Sequence, residues 1–254
     1  MKLYILFIIM FSVSTNIMAE VNVFGPGGPA PAMVAVAKLY TTKTGVKVNI
    51  IAGPTDKWAT NAQSQGDLVF SGSEIMLDDF TSQFNLKNSK ALYLRPSVIL
   101  VRKGNPKNIK GIKSLFQKGM NIMVVQGAGQ VGLWEDIVGR TKDINKINIF
   151  RENMVFIAKN SAVAVAEWKN RPTIDAWIIW NHWYDRTQDV TDMVEIESEY
   201  RIYRATSIAF TEKGVTNQDS KGFYDFLDSK EAQAIFKKNG WQKQWNLFSW
   251  LAIF

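Results

Sequence analysis

Apolar positions recur along the chain in an alternating order. Val21 to Phe24 form a short strand-type run that ends in Gly25-Pro26-Gly27-Gly28-Pro29. Met33, Val36, Ala37 and Tyr40 follow at i, i+3, i+4 and i+7, the spacing of one helix face, and Gly45 stops that helix. Val46, Val48 and Ile50 alternate as a strand, Gly53-Pro54 turns the chain, and a helix carrying Trp58 is expected next. Asp67 to Phe70 reads as a short buried strand closed by Ser71-Gly72-Ser73. Strands and helices in this order predict parallel βαβ units in a doubly wound sheet.

The second half repeats the pattern. Strands are expected at Ser97 to Arg102, Asn121 to Val125, Val155 to Ala158, Ile174 to Trp180 and Ile202 to Phe210. A short helix is expected over Ile109 to Lys118, and another opened by Gly127-Ala128-Gly129 and running through Trp134 and Val138. Asn160 and Ser161 are good N-cap types for a helix over Ala162 to Trp168. Two last helices cover Ser220 to Leu227 and Ser229 to Lys238, with Asn239-Gly240 as the closing cap. Neither an internal repeat nor a low-complexity linker separates the halves. The fold class expected is therefore α/β with two doubly wound lobes and a cleft between them. Strands crossing at Leu92 to Val101 and Tyr200 to Phe210 would join lobe I (20–95 plus 202–254) to lobe II (96–201).

The beginning of the chain departs from this pattern. Lys2 precedes an almost wholly apolar run from Leu3 to Val13, and Ala19 offers a small residue before Glu20. This is the pattern of a cleavable secretory signal peptide over residues 1–19, which places the mature protein in the periplasm. At roughly 11 residues the run is shorter than the ~20 a spanning helix needs. The other reading is a retained membrane anchor.

Composition narrows the chemistry. The 254-residue chain carries a formal net charge of +7. That basic balance suits an anionic solute or surface; export and the interleaved acidic residues argue against nucleic acid. With no cysteine and a single histidine, His182, thiol chemistry and a His-rich metal site are excluded, and no cofactor is expected. His182 reads as a structural imidazole, and Trp177 as core. Trp180, Trp183 and Tyr184 together could form a stacking platform. Asp78-Asp79 and Glu135-Asp136 are neighbours on helices, where adjacent side chains do not face each other. No catalytic set emerges; an enzyme would need a base beside Ser71 or Ser73.

The informative pattern is a repeated one. Five strand ends open into small or polar clusters: Gly25 to Ala30, Ala52 to Thr55, Ser71-Gly72-Ser73, Gln126 to Gln130, and Asn160-Ser161. Ligands of open α/β sheets bind at the carboxyl ends of strands. Helix N-termini there present free N–H groups and partial positive charge, which together hold an oxyanion. Each cluster alone could be an ordinary turn.

The stretches VFGPGGPAPAMVAVAKLYTTKTGVKV, GDLVFSGSE, RPSVILVRKGNPKNIKGIKSL, VVQGAGQVGLWED, KNSAVAVAEW, DAWIIWNHW and GFYDFLDSKEAQAIFKKNGW carry a family resemblance. In this order the chain resembles the type II periplasmic solute-binding proteins of ABC transporters, in the molybdate- and sulfate-binding branch. Within it the chain is most similar to the accessory colonization factor C group. The resemblance implies anion contacts from Gly27 and Gly28, Thr55, Ala128 and Gly129, and Ser161 and Ala162. Trp180 stands where relatives carry a tyrosine, so an indole N–H, a donor only, replaces a hydroxyl. The hydroxyl usual in the first turn is absent. Ser71, Gly72, Ser73, Gln130, Asn160 and Asn181 complete the expected lining. Of Arg95, Arg201 and Arg204, all near the crossings, Arg204 is added as a grip on an acid group. The implied ligand is sulfate, a sulfonate or a small carboxylate, in a roomier and more aromatic site than molybdate needs. The implied partner is a membrane ABC permease or a chemoreceptor, and the implied state a monomer. A colonisation or chemosensory role on the same fold is the other function the resemblance suggests.

Overall fold

The computed structural model describes residues 20–243; the expected signal segment lies outside them. In chain order the elements begin with strand β1 (Glu20–Gly25), helix α1 (Ala30–Thr44), β2 (Lys47–Ala52), α2 (Ala59–Gln65), β3 (Leu68–Phe70), α3 (Glu74–Phe84) and β4 (Lys87–Arg102). They continue with β5 (Ile122–Val125), α4 (Leu133–Gly139), α5 (Ile144–Asn153), β6 (Met154–Ala158), α6 (Ser161–Asn170) and β7 (Ala176–Trp180). The last are β8 (Thr191–Glu195), β9 (Tyr203–Phe210), α7 (Glu212–Thr216), α8 (Gln218–Phe226) and α9 (Lys230–Lys238).

The alternation produces the expected parallel pairings. β1 lies between β2 and β3, parallel to both, and β5 lies between β6 and β7 in the same way. The path across the sheet is β2-β1-β3-β9-β4-β7-β5-β6, with β8 also paired to β4. Strand β4 connects the two parallel groups. Up to Pro96 it pairs antiparallel with β9; from Ser97 it pairs with β7, and from Val98 also with β8. Its 16 residues therefore serve two sets of neighbours, and Arg95 sits next to the change of partner.

The buried side chains divide along the same line. Trp168, Trp177, Trp180 and Phe150 pack with the later half of β4. Met33, Tyr40, Phe223 and Phe236 pack around β1 and β9, while Trp58, Phe80 and Phe84 fill the other face. Helix α1 buries Met33, Val36, Ala37 and Tyr40, the face its periodicity marks, and ends at Gly45 with φ 78°. That left-handed conformation costs glycine little.

Several expectations need correction. The helix opened at Gly127 is broken: Ala128–Gln130 is a 3-10 turn, and α4 starts after Gly132, whose φ of 72° cannot continue a helix. The segment Ile109 to Lys118 contracts to a 3-10 turn over Ile112–Phe116. α5, β8 and α7 are additions. α5 buries only Phe150 and Asn153, leaving no apolar stripe to read; β8 is a polar edge strand; α7 spans five residues.

The turn after β1 is held in place by packing. A methyl group on Gly25 would meet the Phe70 ring at 2.6 Å, and Phe70 is fully buried. Gly25→Ala should therefore destabilise the protein by about 1–3 kcal/mol, the ordinary cost of overpacking a core. Urea denaturation should show this as a lower midpoint at unchanged slope; a midpoint equal to wild type would show that Phe70 can yield.

Candidate functional site

Three glycine-bearing turns converge on one guanidinium. Arg95 projects from β4 beside its change of partner and is 2% exposed. A side chain on Gly28 would lie 3.2 Å from Arg95 Nη1, one on Gly72 3.6 Å from Nη2, and one on Gly129 3.0 Å from Nη2. These turns follow β1, β3 and β5. At Gly28 and Gly129 the absence of a side chain lets the backbone close on the group; at Gly72 the approach is an ordinary contact.

Arg95 Nη2 donates to the Gly72 carbonyl, and Nη1 faces His182 Nε2 at 3.5 Å. The rings of Trp180 and Trp241 lie 4.8 and 5.1 Å from its central carbon. Its Nε has no hydrogen-bond partner, and no carboxylate pairs with it among the described residues. Burial, with the Arg204 charge second and the Glu74 carboxylate opposing both, pulls Arg95 down to about 9, which leaves it cationic at neutral pH. A buried cation without a countercharge is costly unless something supplies one.

His182 shares this surrounding. It is buried, stacks on Trp241 with centroids 5.5 Å apart, and leaves Nδ1 without a partner. Burial first, then the charges of Arg95 and Arg186, hold its imidazole well below the usual histidine range. Arginine can only donate, so Nε2 accepts and the proton resides on Nδ1.

A chamber of about 470 Å³ opens above Arg95. All five strand-end clusters expected to meet do line it: Gly27 and Gly28, Thr55, Gly72, Gly129 and Gln130, and Asn160 to Ala162. Asn160 caps α6 by accepting from the Val163 N–H at 2.9 Å, so the first-turn N–H groups of Ser161 and Ala162 stay outside the helical ladder. Gln130 Nε2 donates to the Ser161 hydroxyl at 2.9 Å, which fixes both side chains. A second chamber of about 220 Å³ shares Gly28 and Arg186 with the first and adds His182, Asp185, Asn239 and Trp241.

Other expected residues lie off the chamber. Trp180 is fully buried, and its indole N–H donates to the Gly129 carbonyl at 3.0 Å, so it fixes a turn and presents its ring to Arg95. Arg204 donates to the Val131 carbonyl and pairs with Asp136, each at 3.0 Å. Arg201 is spent on Glu195 and the Ile196 carbonyl. The Asn181 amide donates to Gly240. Ser73 caps α3, Ser71 is buried with an unpartnered hydroxyl, and no base is bonded to either serine oxygen.

Sequence reasoning missed Arg186 and Met76 as lining residues. Arg186 ends a 3-10 turn over Asn181–Arg186, lies 4.3 Å over the Trp183 ring, and donates to the Gly27 carbonyl at 3.3 Å. Trp183, weighed as a stacking residue, does line the chamber. The Met76 sulfur accepts from the Gly72 N–H at 3.4 Å. Neither residue carries a periodic or motif signal.

Comparison with known proteins identifies the family and the fold. A family model described as bacterial extracellular solute-binding protein matches residues 21–242. A structure of L-phospholactate-bound PEB3, a Campylobacter jejuni protein, is similar with a TM-score of 0.79 and 37% identity, covering 88% of this chain and all of that one. The substrate-binding domain of a putative molybdenum ABC transporter from Clostridium difficile superposes at TM-score 0.71 and 18% identity, covering 89% of this chain and 100% of its own. The sulfate-binding protein SubI from Mycobacterium tuberculosis does so at 0.72 and 14%, covering 89% and 87%. These last two share the fold. No curated protein matches in sequence. With its type II periplasmic binding fold, the chain belongs to the bacterial extracellular solute-binding protein family.

Proposed function

We propose that this protein captures a small organic anion in the chamber above Arg95 and presents it to a membrane partner, an ABC permease or a chemoreceptor. The observation that carries this reading is the buried Arg95 guanidinium, which has no carboxylate partner among the described residues and lies at the meeting point of three glycine turns. An acid group of the ligand would supply the missing countercharge. The first turn of α6, a ten-residue helix, adds N–H donors and partial positive charge from the side. Capture would proceed by closure of the expected lobes, 20–95 with 202–254 and 96–201, about β4 and β9. Sulfonates, small carboxylates and organic phosphates fit this chemistry. The L-phospholactate bound by PEB3 at 37% identity favours an organic acid over a bare tetrahedral oxyanion.

Thermal unfolding against L-phospholactate, sulfate, molybdate, a sulfonate and lactate tests the reading. At a ligand concentration of ~100 Kd, binding adds about 2.7 kcal/mol, a shift of several degrees for a chain of this size. If none of these anions shifts the transition, the anion reading is wrong. Arg95→Met should weaken binding by about tenfold to a hundredfold, the worth of a charged hydrogen bond. The empty variant should unfold at the wild-type temperature or above it, because an uncompensated buried charge has gone.

His182 adds a pH dependence. Its folded-state pKa is lowered well below its unfolded value, so below about pH 6.5 the unfolded chain binds the extra proton and stability falls as pH falls. Urea midpoints measured from about pH 7 to pH 5 should drop more steeply for wild type than for His182→Gln. Parallel slopes would mean that His182 titrates alike in both states.

A further inference from the structure

Arg186 is the second cation of the chamber, and its surroundings differ from those of Arg102, Arg201 and Arg204. Arg102, Arg201 and Arg204 are each bonded to two or more carbonyl or carboxylate oxygens. Arg186 makes one long bond, to the Gly27 carbonyl at 3.3 Å, and no carboxylate pairs with it among the described residues. Its guanidinium rests on Trp183 at the exposed rim, where the large and small chambers meet. Arg95 approaches Gly28 and Arg186 bonds Gly27, so the two groups flank adjacent residues of one turn. From standard backbone dimensions they stand within about 10 Å of each other. Burial depresses Arg186 below the ordinary arginine range, as expected of a guanidinium partly withdrawn from water.

We propose that Arg186 reads a second acid group of the ligand, and that the solute is therefore a short organic acid bearing two anionic groups. This deepens the reading given above and rests on it. One group bonds Arg95 and the helix N–H groups at the floor. The other exchanges the long Gly27 contact for a charge-assisted bond to Arg186, which is shorter and about twice as strong as a neutral one. The side chamber behind Arg186 leaves room for the carbon skeleton or its substituents. An ion with a single acid group engages the floor and leaves Arg186 on its carbonyl.

Isothermal titration of the full exported protein with L-phospholactate and with inorganic phosphate tests this, in wild type, Arg186→Gln and Arg186→Lys. Arg186→Gln should cost L-phospholactate about tenfold more affinity than it costs inorganic phosphate. Arg186→Lys, which keeps charge without the fork, should recover part of that selectivity. Equal losses for both ligands, or an unchanged affinity for L-phospholactate, would overturn the proposal while leaving the anion site intact. Wild-type protein that binds phosphate but not L-phospholactate would overturn it as well. If wild type takes neither ligand, the anion reading itself falls. Unfolding curves of the variants, expected to match wild type at this exposed position, separate lost contacts from lost fold.

Discussion

A buried cation with no carboxylate bonded to it among the described residues is the constraint around which this protein is organised. Burying the Arg95 guanidinium between Trp180 and Trp241 removes most of its water. The aromatic faces and the Gly72 carbonyl recover only part of that solvation. The neighbouring histidine stays neutral and adds no charge of either sign. The remaining deficit is electrostatic and faces an open chamber. On the proposed reading, an anion that completed the pair would relieve this deficit.

The rest of the architecture brings this about. Arg95 occupies the point where β4 exchanges β9 for β7. Strand ends from both parallel groups reach it: the turn after β1 at Nη1, and the turns after β3 and β5 together at Nη2. Any change in the angle between the groups would move the glycine turns relative to the guanidinium. The tryptophans tie the arrangement together, because Trp180 fixes the Gly129 turn through its indole N–H while its ring covers Arg95.

Much of this was legible in the sequence, and the reasons for the rest are physical. Alternating apolar runs ending in Gly, Ser and Asn marked the parallel strands and the clusters at their carboxyl ends, because turn chemistry is local. The arginines were harder. Arg95, Arg201 and Arg204 look alike in sequence, and the structure separates them by whether Glu195, Asp136 or no carboxylate stands opposite. Trp180 was expected to offer its N–H to a ligand; a backbone carbonyl from another turn takes it. Arg186 stayed hidden because its 3-10 turn has no period to read and its neighbours come from the distant first turn. Polar α5 and edge strand β8 escaped for a related reason: each buries too little to leave a pattern.

The glycine floor also bears on how such a protein could diversify. A side chain on Gly28 or Gly129 would press on the guanidinium at 3.2 and 3.0 Å, while one on Gly72 would meet it in ordinary contact at 3.6 Å. Heritable variation is therefore tighter at Gly28 and Gly129 on the floor than at the rim, where Thr55, Met76, Trp183 and Arg186 stand. If the proposed site is right, a lineage built on this plan would keep the guanidinium and change its solute by exchanging a few side chains at the entrance.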